Sequence, residues 1–126
     1  MIAMKKYSEE HVWIARDDDA APTGTVGITV HAQEVLGDVV FVELPAIGAV
    51  FAAGEKAGLV ESVKAAADVF TPVGGTVTEV NEALRSDPSL ANTDPLGEGW
   101  FFKLQLSQAA ELDALMDEHT YAGFAN

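Results

Sequence analysis

The chain contains no cysteine. Disulfides, thiolate nucleophiles and cysteine-ligated metals are therefore excluded, and a secreted disulfide scaffold with them; a reducing compartment is compatible. Basic residues are scarce: seven Lys and Arg stand against twenty Asp and Glu, a formal net charge of -13. Such a surface repels nucleic acid and anionic lipid and steers the chain toward basic protein surfaces. No apolar run approaches the roughly 20 residues of a membrane span. The opening "MIAMKKYSEEHVWIARDDD" meets acids within its first ten positions, unlike a signal or transit peptide. The expectation is a soluble cytoplasmic protein, with no nucleic acid and no membrane among its partners. Low-complexity tracts, strict repeats and linker-like runs are also missing, so residues 1–126 are read as a single domain.

Hydrophobic residues make up 48% of the chain and charged residues 21%, the balance of a folding domain rather than a disordered one. Glycine and proline cut the first hundred residues into short pieces. Between the breakers lie "HVWIA", "TVGITV", "VVFVEL", "GLVESV", "DVFTPV", "TVTEV" and "WFFKLQL", short and rich in Val, Ile, Thr and aromatics. These predict seven strands in a mainly β barrel or sandwich. "HAQEVLG" predicts a helical connector ended by Gly37, and "NEALRSDP" another with Asn81 as N-cap. Beyond a core of about 7–106, Ala109, Leu112, Leu115 and Met116 recur at helical spacing, predicting a C-terminal helix over about 107–118 capped by Ser107.

Within "LVESVKAAADVFTP", arms over Leu59–Val63 and Ala67–Thr71 flank Lys64, Ala65 and Ala66, the spacing of a β-hairpin with the lysine at its tip. The loop has no Gly, Asn or Asp, which argues for a longer or type I-based turn. On these residues alone Lys64 reads either as a solvated turn charge or as a handle for modification. The alanines leave it unobstructed, and Gly74 and Gly75 would allow close backbone packing beneath the hairpin. Trp13, Trp100, Phe101 and Phe102 read as core and cross-strand packing. "DPLGEGW" reads as a turn before a strand, with no metal-binding or phosphate-binding spacing.

The stretch "GLVESVKAAADVFTPVGGTVTEVNEAL" resembles the lipoyl-attachment region of the glycine cleavage H-protein family. "TVGITVHAQEVLGDVVFVELPAIG" before it and "ANTDPLGEGWFFKLQL" after it resemble the same family in the same order. The resemblance implies a lipoyl-domain-like barrel-sandwich hybrid of two small antiparallel sheets, with short helical connectors and a C-terminal helix. It implies lipoate amide-linked to Lys64, with Glu61 and Asp68 as recognition residues for the attaching enzyme. It also implies a non-catalytic carrier that moves the aminomethyl group of glycine between three enzymes. These are a pyridoxal-phosphate glycine decarboxylase, an aminomethyltransferase and a dihydrolipoamide dehydrogenase; a lipoate-attaching enzyme is a further partner. A carrier passed between enzymes is expected to be a monomer.

His31 matches a family histidine of the cleft that shelters the arm. Where relatives read His-Glu-Trp, this chain has His11, Val12 and Trp13, and many relatives carry an aspartate where Val30 stands. Glu10, two residues before Val12, would share its face in a regular strand and stand in for the absent acid. Lipoyl domains of 2-oxo acid dehydrogenases carry Asp-Lys-Ala at the tip and biotin carriers have flanking methionines, neither of which is present. An H-like lipoate relay or store is the alternative within the family, and a Schiff-base lysine enzyme is the alternative of another class. The latter needs burial or nearby cations, whereas Lys64 has Glu61 and Asp68 near it in sequence.

Overall fold

β-Branched and aromatic residues fill the segments that pair. The computed structural model describes residues 4–16 and 22–125, and in it these segments form nine strands. They are β1 (Met4–Tyr7), β2 (Val12–Arg16), β3 (Thr23–Ile28), β4 (Val39–Glu43), β5 (Val50–Phe51), β6 (Lys56–Ser62), β7 (Ala66–Phe70), β8 (Gly75–Val80) and β9 (Phe102–Leu106). All pairings are antiparallel. A six-stranded sheet runs β1-β2-β3-β9-β8-β5, and a three-stranded sheet runs β4-β6-β7. The fold is mainly β, as expected, although β1 and β5 lie outside the seven predicted strands.

Alternate residues from both sheets meet in one core. Val26, Val73, Leu84, Ala91, Phe101, Phe102 and Leu104 are fully enclosed there, so the aromatic run at the start of β9 is packing, as its pattern predicts. Trp13 belongs to a smaller cluster with Tyr7 and Tyr121. A Cβ at Gly27 would lie 2.8 Å from the Trp13 ring, so the indole seats against that strand only because its neighbour is glycine.

The connectors are α1 (Val30–Leu36), α2 (Glu82–Ser86) and α3 (Leu90–Thr93). Thr29 caps α1, its hydroxyl accepting from Ala32 N–H, and Gly37 ends it at φ 79°, ψ -158°. Asn81 caps α2 through Ala83 N–H, as predicted. The Asp94–Gly99 stretch is a turn in which Gly97 and Gly99 N–H both donate to the Asp94 carbonyl.

The C-terminal segment departs from the helix predicted over 107–118. Residues Ala109–Ala114 form a 3-10 turn, Leu115 is extended, and a separate helix α4 spans Glu118–Ala125. The cause is tertiary: Met116 forms a β-bridge with Tyr7, exchanging two backbone hydrogen bonds of 2.8 and 2.9 Å. That exchange requires extended backbone at the point where the apolar spacing continues. Asp117, not Ser107, caps the helix, its carboxylate accepting from Thr120 N–H at 2.8 Å. Hydrogen bonds from the Thr120 backbone and side chain hold the Asp117 carboxyl below its ordinary pKa.

Candidate functional site

The β6–β7 hairpin presents Lys64. The ladder ends at Glu61 opposite Ala66, and Ser62 N–H donates to the Ala65 carbonyl at 2.7 Å. The Ser62 hydroxyl then does the work of a turn residue. It accepts from Ala65 N–H at 3.0 Å and Lys64 N–H at 3.3 Å, and donates to the Ala65 carbonyl. Because these bonds close the loop, no residue in it needs left-handed backbone. They also set the loop at Val63–Ala65, one residue earlier than the predicted Lys64–Ala66, while leaving Lys64 at the tip.

The lysine is exposed, and its stem lies over Gly37, where a Cβ would stand 3.3 Å from Lys64 Cε. Val63 N–H donates to the Asp38 carbonyl at 3.0 Å, tying the tip to the loop after α1. The glycines expected under the hairpin are elsewhere: Gly74 packs on Phe51 and Ser107, and Gly75 on the Gln105 backbone of β9. Gly37 takes that place instead. Glu61 sits on β6 opposite Phe41 and Ala66. Asp68 lies four residues past Lys64 and pairs with Lys56 at 3.2 Å; both side chains are about half exposed, so the pair is weak.

Beside the hairpin lies a cleft of about 230 Å³ whose lining includes Glu10, His11, Val12, His31, Val60 and Asp68. The β7 part of its wall begins at Ala67, three residues past Lys64 and one past the start of the strand. A larger cavity of about 410 Å³ shares only Glu10 with it and takes its β7 wall from Phe70 onward, farther from the lysine. Size alone would select the larger space; position relative to Lys64 selects the smaller.

The structure brings Glu10 and His31 to the same cleft, but by a route other than strand alternation. Glu10 lies in a tight turn, not in β2: Ser8 N–H donates to the Val12 carbonyl and His11 N–H to the Ser8 carbonyl. Left-handed backbone at His11, φ 64°, completes the turn. Val12 is 2% exposed and packs in the core while contributing to the cleft wall. Val30 is exposed at the start of α1.

His11 is the site residue that sequence reasoning missed. Its Nδ1 is 2.7 Å from the Tyr121 hydroxyl, which is 2.8 Å from Thr29 Oγ1. Its ring packs against His31 with centroids 4.5 Å apart. Burial, then the neighbouring His31, lower the His11 pKa, with Glu10 acting in the opposite direction. Burial raises the Tyr121 pKa, partly offset by the Thr29 hydrogen bond. Residues 110 positions apart make this contact; the only local signal was a histidine at the end of a short turn. Among the described residues no group of His, Asp and Glu could hold a metal ion.

Comparison with known proteins gives one consistent set of matches. The family model described as glycine cleavage H-protein matches residues 5–126. The chain is 56% identical over 117 residues to the glycine cleavage system H protein of Chromobacterium violaceum, covering 93% of this chain and 90% of that one. It is 52% identical over 121 residues to the Thermotoga maritima protein of the same name, covering 96% and 95%. The crystal structure of a glycine cleavage system H protein from Mycobacterium marinum superposes with a TM-score of 0.86 at 39% identity, covering 98% of this chain and 97% of that one.

Proposed function

The chain belongs to the glycine cleavage H-protein family, and from that premise we propose that Lys64 is the residue that bears its lipoyl group. A protein of this family is a lipoyl carrier of the glycine cleavage system and partner of its enzymes, not a catalyst. The observation that supports Lys64 is its place: an exposed amine at a hairpin tip closed by Ser62, on a hairpin whose strands β6 and β7 help line a largely apolar cleft. When attached, lipoate supplies a dithiolane whose sulfur carries the one-carbon amine unit.

The chain's own residues then hold and expose that arm. Amide formation removes the Lys64 charge, leaving a neutral tether whose stem crosses Gly37. Glu10, His11, His31 and Asp68 form the polar part of the cleft, where a carboxylate or imidazole can accept a hydrogen bond from an amine. A charge-assisted bond of this kind contributes about 1.5–3 kcal/mol. Glu10 thus serves where Val12 supplies only packing. Glu61 and Asp68 flank the lysine as contacts for the lipoate-attaching enzyme.

The specific partners follow as the pyridoxal-phosphate glycine decarboxylase, the aminomethyltransferase and the dihydrolipoamide dehydrogenase, met in the cytoplasm by a monomer. Tethering raises the effective concentration of the intermediate at each docking, and the acidic surface speeds encounter. No helix among the described residues is long and apolar enough to cross a membrane. The test is intact-mass measurement of the protein and its Lys64→Ala variant from cells that make lipoate. A lipoyl or octanoyl adduct on the parent and none on the variant is expected; no adduct on the parent, or one that persists in the variant, overturns the assignment.

A further inference from the structure

We propose that Asn92 is a positioning residue for the attachment hairpin, an inference that rests on Lys64 being the lipoylated lysine. Asn92 lies in α3, half-buried, with Ala91 before it fully enclosed in the core. Its side chain makes three hydrogen bonds to one distant segment. Oδ1 accepts from Val39 N–H at 2.8 Å, while Nδ2 donates to the Gly37 carbonyl at 2.8 Å and to Gln33 Oε1 at 3.0 Å. One amide therefore spans the last turn of α1, the loop that follows it, and the first residue of β4.

That segment is what the hairpin tip rests on. The Asp38 carbonyl accepts from Val63 N–H, the Lys64 stem crosses Gly37, and Val39 pairs with Ser62. Residues 37–39 thus carry these three contacts, and Asn92 holds 37 and 39 on either side of Asp38. Only asparagine suits the position: the site needs one acceptor and two donors on a short stem. Aspartate keeps the acceptor but turns a second oxygen toward the Gly37 carbonyl and Gln33 Oε1, and alanine provides nothing.

With the loop freed, the tip samples more conformations, and an attaching enzyme that recognises the ordered hairpin meets it less often. The effect falls on KM, because the competent fraction drops while the lysine amine and its chemistry are unchanged. The kcat value is retained.

The experiment uses unmodified full-length protein, its Asn92→Asp, Asn92→Ala and Lys64→Arg variants, and a purified lipoate ligase with lipoate and ATP. Amide hydrogen exchange is read by NMR at Val39 and Val63, with Val26 and Leu104 reporting the core. In both Asn92 variants, exchange at Val39 and Val63 should quicken about tenfold, the loss of roughly one net hydrogen bond, with the core amides unchanged. The KM for lipoylation should rise several-fold at constant kcat. Unchanged exchange at Val63, a fall in kcat at constant KM, or loss of protection at Val26 and Leu104 as well overturns the proposal, the last because Asn92 would then serve the whole fold. An adduct that persists in Lys64→Arg would instead overturn the assignment of Lys64, with the exchange result standing apart from it.

Discussion

Replacing Gly37 by alanine tests both the strain in the α1–β4 loop and the seat of the lysine stem. Gly37 adopts φ 79°, ψ -158°, a region essentially restricted to glycine, where a side-chain-bearing residue costs about 1–3 kcal/mol. The stiffer unfolded chain offsets about 0.4–1 kcal/mol of this. A net loss of about 1–2 kcal/mol remains, which for a chain of this size lowers Tm by about 3–10 °C. The new Cβ also meets Lys64 Cε at 3.3 Å; the stem is flexible, so it shifts rather than adding a large clash. Thermal unfolding of the parent, Gly37→Ala and Gly54→Ala measures the first effect. Gly54 also has positive φ, 85°, but with open space around it, so its variant should keep the parent's rate of lipoyl attachment. A Gly37→Ala protein melting within about 1 °C of the parent would refute the strain argument. A destabilised Gly37→Ala protein lipoylated at the parent's KM would refute the claim that Gly37 seats the lysine.

Because burial lowers the His11 pKa below its ordinary 6.5, the unfolded chain takes up this proton more readily than the folded one. His11 therefore contributes stability that is present above about pH 6.5 and lost as pH falls through the depressed folded value. The urea midpoint should decline over that window in the parent and less steeply in His11→Gln; equal slopes would show that His11 does not govern it. In the core, Phe102 is wholly enclosed, and Phe102→Ala should cost about 3–5 kcal/mol in guanidinium unfolding. Phe41 on the outer face of β4 is 46% exposed, and Phe41→Ala should stay within about 0.5 kcal/mol of the parent.

Much of the architecture was legible because it is local. Short runs rich in Val, Ile, Thr and aromatics between glycine and proline breakers marked the longer strands, Asn81 marked the start of α2, and Gly37 the end of α1. β1 was missed because its "MKKY" carries two lysines, and β5 because a two-residue strand leaves no period to read. The C-terminal segment misled because its apolar spacing is helical, while the Met116 pairing with Tyr7 imposes extended backbone. The position of Lys64 at the hairpin tip was legible from the spacing of the arms around it; the path of Glu10 into the cleft was not. Strand alternation places residue 10 on the face of residue 12, whereas a turn closed by left-handed His11 delivers it.

Residue pattern alone placed the longer strands and the turns between them, because β-branched runs, caps and a glycine that alone can adopt its backbone angles act within a few residues. It also determined that one lysine stands at the tip of one hairpin. Tertiary structure decided what surrounds that lysine. The Tyr121 hydroxyl on His11, the Asn92 amide on the Gly37 loop, and the Gly37 surface under the Lys64 stem each join residues tens of positions apart. Hydrogen bonds and packing at that separation depend on how two sheets close over a core, and no local pattern of residues encodes them.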